Sequence, residues 1–167
     1  TGSVASWGYQ DSCTFASPST PFERLGLYLT LSGNNIVCGA NYKLSADHNP
    51  GSAIYFKRNG SQWDKIQEIK SADSDNLSTV PNVVTRGNWL LIGNSAEDHL
   101  IGPRGNVWVY ALESGLWVKK RRIYNYTTND PSQRWPDALG FDGASIMIGS
   151  YTYNDRQGAV FFTTVSE

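Results

Sequence analysis

Three short apolar runs recur along the chain, and each lies between two glycines that are six positions apart. The runs are Ile36–Cys38, Leu90–Ile92 and Ile146–Ile148, flanked by Gly33 and Gly39, Gly87 and Gly93, and Gly143 and Gly149. Runs this short, with glycine on both sides, are typical of β-strands and too short for helices. Because each strand is apolar toward both faces of its sheet, such a sheet needs a neighbour on each side.

A second strand, led by glycine, follows each run after a loop of variable sequence. These strands are Gly51–Phe56, Gly105–Tyr110 and Gly158–Phe162. In the first two copies a short turn then leads to a strand that begins with Trp63 or Trp117. The pattern predicts a meander: an inner strand, a glycine turn, an apolar strand, a loop, an aromatic strand, a short turn and an outer strand.

The third copy ends before its tryptophan strand, and a matching strand stands near the start of the chain as Trp7–Cys13. We expect this N-terminal strand to complete the third repeat. The chain is then a single all-β domain, 1–167, of three repeats of about 55 residues: approximately 21–70, 75–124, and 133–167 completed by 1–15.

This repetition predicts three four-stranded antiparallel repeats in a propeller-like, three-bladed arrangement that the N-terminal strand closes. Two other architectures fit the same pattern. One is a β-trefoil, and the other is half of a six-bladed propeller whose second half comes from another chain. A monomer, a homodimer and a part of a larger assembly are therefore all consistent with the sequence.

The order of the motifs in the first copy carries a resemblance to a known family. The motifs are Leu25-Gly26, Ser32-Gly33, Ile36–Ala40, Gly51–Phe56 and Trp63. This order resembles the FG-GAP repeats of integrin-α-like β-propellers. In the later copies Thr79-Val80 and Trp135-Pro136 replace the leading pair. The resemblance implies a propeller fold and a role in recognition or adhesion.

Calcium enters only through this analogy, because many FG-GAP loops resemble a calcium-binding EF-hand loop. The corresponding loops here are 41–50, 94–104 and 150–157, and none spaces three carboxylates in the way that such a loop requires. We therefore expect no cofactor.

Composition narrows the choice of partner. The chain has six Trp, nine Tyr and six Phe, only 17% charged residues, and a net charge of −1. It offers no broad basic surface for a nucleic acid and no apolar run of membrane-spanning length. The run Lys119–Arg122 is the one basic cluster, and alternation along a strand predicts two of its charges on each face, typical of a protected sheet edge.

Exposed aromatic side chains on loops are the best candidates for ligand binding, since rings stack on the apolar faces of sugars and loops carry function on a rigid scaffold. The candidates are Tyr42, Trp89, Tyr151 and Tyr153, with Tyr151 and Tyr153 preferred. Trp7, Trp63 and Trp117 recur at equivalent positions, which favours a place in the core. Cys13 and Cys38 replace residues that are apolar in the other copies, which favours burial; whether they form a disulfide stays open.

Acidic residues and histidines occupy equivalent loops of the three copies. They are Asp47 and His48, Asp98 and His99, and Asp155. Carboxylate and imidazole groups are ligands that metals use, so these residues are the candidates for a metal site. Their occurrence as turn-forming residues is the favoured explanation.

The sequence indicates a protein that is not an enzyme, because it has no Gly-x-Ser-x-Gly motif and no phosphate-binding loop. We expect a non-enzymatic recognition or adhesion module that binds a protein or glycan through loops on one face, as in a viral or cell-surface attachment domain. Sequons at Asn59, Asn76 and Asn125 fit an extracellular, cell-surface or virion-surface location. The alternatives are a structural assembly subunit without an external ligand and a glycan-active enzyme whose carboxylates meet only in space.

Overall fold

The computed structural model describes residues 22–23, 25–42, 52–70, 82–94, 105–124, 135–151 and 153–165. In this part of the chain the fold is all-β, with three antiparallel sheets that each come from one of the three repeats. The prediction of an all-β fold of antiparallel repeats is confirmed. The strand predicted at Trp7–Cys13 lies outside the described residues.

Sheet 1 follows the predicted meander, and its first position is shared by two strand segments that both pair with β3. Its strands are β1 (Phe22–Glu23), β2 (Leu29–Ser32), β3 (Asn35–Tyr42), β4 (Ser52–Asn59) and β5 (Gln62–Lys70). Between β1 and β2 the amide of Gly26 donates to the carbonyl of Gly39, which keeps this segment on the edge of β3.

Sheet 2 has the order β6-β7-β8-β9, and sheet 3 has the order β10-β11-β12. The strands of sheet 2 are β6 (Asn82–Arg86), β7 (Trp89–Asn94), β8 (Asn106–Glu113) and β9 (Leu116–Tyr124). Those of sheet 3 are β10 (Ala138–Phe141), β11 (Ser145–Ser150) and β12 (Ala159–Thr164), with the short helix α1 (Tyr153–Arg156) between the last two.

Turns with positive φ close the hairpins where the sequence predicts them. Gly33 and Gly87 have φ of 59° and 57°, a conformation that glycine adopts without steric cost. The turn between β8 and β9 instead places Ser114 (φ 51°) before Gly115 (φ 83°). Two successive residues with positive φ give the hairpin a twist that matches its strands.

A β-bulge recurs at the same position of the first two repeats. The register shifts between Tyr55 and Phe56 in the β4–β5 ladder, and between Val109 and Tyr110 in the β8–β9 ladder. One extra residue on the outer strand changes which of its side chains share a face. The repeats therefore agree in an irregular feature as well as in their glycines.

Each sheet packs against its neighbours through opposite faces. We call the face toward the following repeat the forward face, and the face toward the preceding repeat the backward face. The forward face of sheet 1 meets the backward face of sheet 2, and the buried residues there are Val37, Ala53, Tyr55, Ile69, Val83, Leu90, Ile92, Tyr110 and Trp117. The forward face of sheet 2 meets sheet 3 in the same way, with Leu91, Val107, Val109, Trp135, Ile146 and Ile148.

The innermost strands β2, β6 and β10 lie side by side and run in the same direction. Between the first two, Thr85 N donates to Thr30 Oγ1 (2.9 Å) and Gly87 N donates to Ser32 Oγ (3.2 Å). Between the next two, Asn82 Nδ2 donates to the carbonyl of Asp137 (3.2 Å). Equivalent connections of the three sheets therefore leave from the same end.

We call one end of the sheets the loop end, because the connections β3–β4, β7–β8 and β11–β12 leave from it. The other end, which carries the turns at Gly33 and Gly87, is the turn end. In the part of the chain that the structure describes, no helix is long and apolar enough to cross a membrane.

Candidate functional site

Tyr151 is the most exposed of the predicted binding residues whose side chains are described. It directly follows β11 at the loop end, and 56% of it is exposed. Its amide donates to Asp137 Oδ2 (2.8 Å), and the amide of Asp137 donates to the carbonyl of Gly149 (2.9 Å). The base of the loop is therefore fixed to the start of β10, and the Tyr151 ring projects from an anchored backbone.

Tyr153 supports the same loop from the inside. Its ring meets Phe161 edge to face at 5.5 Å between centroids, and Phe161 in turn meets Trp135 at 6.3 Å. Trp135 is 2% exposed in the core between sheets 2 and 3. Tyr153 is thus half-buried and connects α1 to that core, while Tyr151 offers the open ring.

The backbone of this loop is compact and adopts conformations that are unusual for its residues. Gly158 N donates to the carbonyl of Tyr153 (3.0 Å), and Gln157 N donates to the carbonyl of Asn154 (3.2 Å). Asn154 and Arg156 have φ of 49° and 69°. Residues other than glycine rarely occupy this region, and such conformations concentrate at binding and active sites.

The other two predicted aromatic residues occupy different places. Tyr42 is the last residue of β3 and lies at the loop end, like Tyr151. Trp89 is the first residue of β7, next to the turn of Gly87, and lies at the turn end. It is half-buried against the core between sheets 2 and 3. The structure therefore brings Tyr151 and Tyr153 together and leaves Trp89 at the opposite end.

Most of the predicted metal ligands cannot be placed. Asp47, His48, Asp98 and His99 lie outside the described residues, and Asp155 belongs to α1 but its side chain is not described. Among the residues that are described, no three His, Cys, Asp or Glu side chains come together as a metal site would require. The metal site remains a prediction.

The basic run forms an arrangement that the sequence did not suggest. Because of the bulge in β8–β9, Lys119 and Arg122 lie on the same face of sheet 2. Their ladder partners on β8 are Tyr110 and Trp108, respectively. Lys119 Nζ lies 3.6 Å from the centre of the Trp108 ring, and the Arg122 guanidinium lies 4.9 Å from it. Arg122 also lies 4.4 Å from the Tyr124 ring.

The other two basic residues of the run contact an acidic side chain and a backbone carbonyl. Lys120 forms an ion pair with Glu113, and Arg121 donates to the backbone carbonyl of Thr164 in β12. The simple alternation expected for this strand is therefore replaced by a grouping of Lys119 with Arg122. The equivalent residues of repeat 1, Lys65 and Glu68, form an ion pair at 3.2 Å. Opposite charges three residues apart at these positions are the sequence signal that could have indicated the shared face.

One further aromatic group of this sheet is buried in the core. Tyr110 is 5% exposed in the core between sheets 1 and 2, and desolvation raises its pKa to about 12. Its phenol serves packing and carries no charge at neutral pH.

No protein-family model matches the chain, and a search of curated proteins finds no match either. A function for this chain is therefore inferred from its residues and their geometry.

Proposed function

We propose that the chain is a non-enzymatic recognition module, with FG-GAP-like sheets arranged as propeller blades, that binds a glycan through the loop end. The observation that carries this proposal is the exposed ring of Tyr151 on a loop whose backbone is anchored to β10. A planar ring on an anchored backbone offers the apolar face of a sugar a stacking surface, and the backbone has little ordering entropy left to lose.

The propeller arrangement is supported by the common direction of β2, β6 and β10 and by the repeated forward-to-backward packing. In a propeller, equivalent loops collect on one face of the ring, so Tyr42 and Tyr151 would both contribute to that face. Attachment to another cell or particle would suit an extracellular or surface location. A protein ligand at the same face is the alternative occupant.

The experiment is a glycan array probed with the wild-type chain, followed by titration calorimetry on the best glycan. Tyr151→Ala should weaken binding at least about tenfold, since truncating a binding hot spot costs more than about 1.4 kcal/mol. Leu116→Ala is the matched control, because Leu116 is 46% exposed at the turn end. Absence of any glycan ligand, or equal weakening by both variants, would contradict the proposal.

A further inference from the structure

Sheet 3 exposes an apolar forward face. Met147, Val160 and Phe162 lie on it and are 46%, 58% and 72% exposed. Met147 in β11 and Phe162 in β12 are direct partners across the ladder, and Val160 is two residues from Phe162 on the same side. Adjacent exposed apolar side chains of this size are typical of an interaction surface.

The repeat itself indicates what should cover this face. Counted from the glycines that recur in each repeat, the same three positions in sheet 1 are Val37, Ala53 and Tyr55, and in sheet 2 they are Leu91, Val107 and Val109. All six residues are at most 1% exposed, because each set packs against the following sheet. Sheet 3 thus has the surface that receives a following sheet, and that surface is open.

Sheet 1 exposes apolar side chains on the backward side of its inner strand, β2. Leu29 and Leu31 of β2 are 64% and 61% exposed. Their equivalents in β6, judged from the pairing with the next strand, are Val83 and Thr85, and each of these is 5% exposed beneath sheet 1. Sheet 1 therefore lacks a preceding neighbour at β2.

The two open surfaces correspond to the inner-strand part of a contact that the molecule already makes twice. On the backward side of β3 and β4, the side chains of Cys38, Ala40, Ile54 and Phe56 are already buried within the chain. In both existing contacts the following sheet contributes its inner strand: β6 contacts β2 and β3, and β10 contacts β6 and β7. A following neighbour for sheet 3 should therefore present a strand equivalent to β6 and β10. In this chain the strand of that kind with an exposed backward side is β2.

We propose that the forward face of sheet 3 binds β2 of a second copy of this chain, and that the reciprocal contact closes a ring of two chains. The partner is another copy because Leu29, Leu31, Val160 and Phe162 all remain exposed within a single chain. Two reciprocal head-to-tail contacts satisfy both open surfaces of both copies. Such a ring holds six sheets, a number within the range of β-propellers.

Light scattering coupled to size exclusion tests this association on the intact chain over about 5–200 µM. The wild type should have twice the chain mass of 18.5 kDa. Phe162→Glu and Leu31→Glu should each give monomers, because each places a charge in one half of the contact. Leu116→Glu introduces the same charge at a surface outside it and should remain dimeric.

Mixing the two monomeric variants provides the decisive comparison. Phe162→Glu retains an intact β2 surface and Leu31→Glu retains an intact forward face, so an equimolar mixture should regain association through one contact. Circular dichroism should show all variants folded, and Val160→Glu and Leu29→Glu replace either variant that is not. Overturning results would be a monomeric wild type, a Leu31→Glu variant that still dimerises, a mixture that stays monomeric, or a mass that grows beyond two chains.

Discussion

Gln67 joins the outer strands of sheets 1 and 2 through both groups of its carboxamide. Trp117 N donates to Gln67 Oε1 (2.8 Å), and Gln67 Nε2 donates to the carbonyl of Trp117 (3.0 Å). Leu112 of β8 is the ladder partner of Trp117, but its amide donates to the carbonyl of Asn88 on the β7 side. The backbone N–H and C=O of Trp117 therefore point away from β8. Gln67 therefore occupies the place of a further strand at this edge.

Replacing Gln67 with Ala should destabilise the fold measurably. Two hydrogen bonds to the backbone of a residue that is 2% exposed are lost, and each contributes about 1–1.5 kcal/mol in such a setting. We expect a loss of about 2–3 kcal/mol in the free energy of unfolding, or roughly 4–12 °C in Tm for a chain of this length. Urea unfolding followed by tryptophan fluorescence measures it.

A control and an isosteric variant separate the hydrogen bonds from packing. Gln62 is an exposed residue of the same strand, so Gln62→Ala should change stability by less than about 0.5 kcal/mol. Equal stabilities of the two Ala variants would refute the reasoning and leave apolar packing as the whole of the contact. Gln67→Glu retains the acceptor for Trp117 N–H but loses the donor to the Trp117 carbonyl when ionised.

The sign of the pH effect follows from that lost donor. A carboxylate that faces a carbonyl oxygen has its pKa raised in the folded state. Its favourable contribution is complete below the unfolded pKa and disappears as pH rises through the folded one. The stability gap between Gln67→Glu and the wild type should therefore be large at pH 7 and should narrow toward pH 4.

Four further substitutions test local geometry. A Cβ at Gly105 (φ 84°) would lie 1.4 Å from the carbonyl oxygen of Trp135, so Gly105→Ala should lower the free energy of unfolding by more than about 4 kcal/mol in chemical denaturation. Gly115 has a similar φ of 83° but open space around it, so Gly115→Ala is the control and should lower the free energy of unfolding by about 1 kcal/mol. Ser114→Asn should raise stability by about 0.5 kcal/mol, because asparagine tolerates a positive φ better. Asp142 accepts from two backbone amides that lower its pKa from the ordinary value of an aspartate, so Asp142→Asn should lower Tm at pH 7. The difference should vanish as acid protonates Asp142.

The strand order and the turns of the described residues could be predicted because glycine spacing marks both directly. Gly33 and Gly87 stand at turns with positive φ, and the apolar runs after them are central strands of their sheets. Those features are local, so a single stretch of sequence is enough to indicate them. Packing of β7 against both neighbouring sheets likewise follows from its apolar residues on both faces.

The candidate site was less predictable, because it depends on strand direction and on a bulge. Trp89 is the first residue of its central strand, whereas Tyr151 comes directly after the last residue of its own, which places them at opposite ends. Lys119 and Arg122 share a face only because the register shifts beside them. A period of two residues cannot indicate such a shift, since one extra residue inverts the alternation that follows.

The position of a residue in the repeat, more than its type, determines whether it makes a contact between sheets. Gln67 stands four residues after Trp63 and reaches the backbone of β9, while Arg121 stands four residues after Trp117 and reaches the backbone of β12. An amide and a guanidinium can perform this role because both donate to a backbone carbonyl. Three repeats with little identity can therefore stack in the same way, provided that the glycines and the bulge keep equivalent side chains on equivalent faces. By the same reasoning, β2 of a second copy can cover the open forward face of sheet 3 without matching β6 or β10 in sequence.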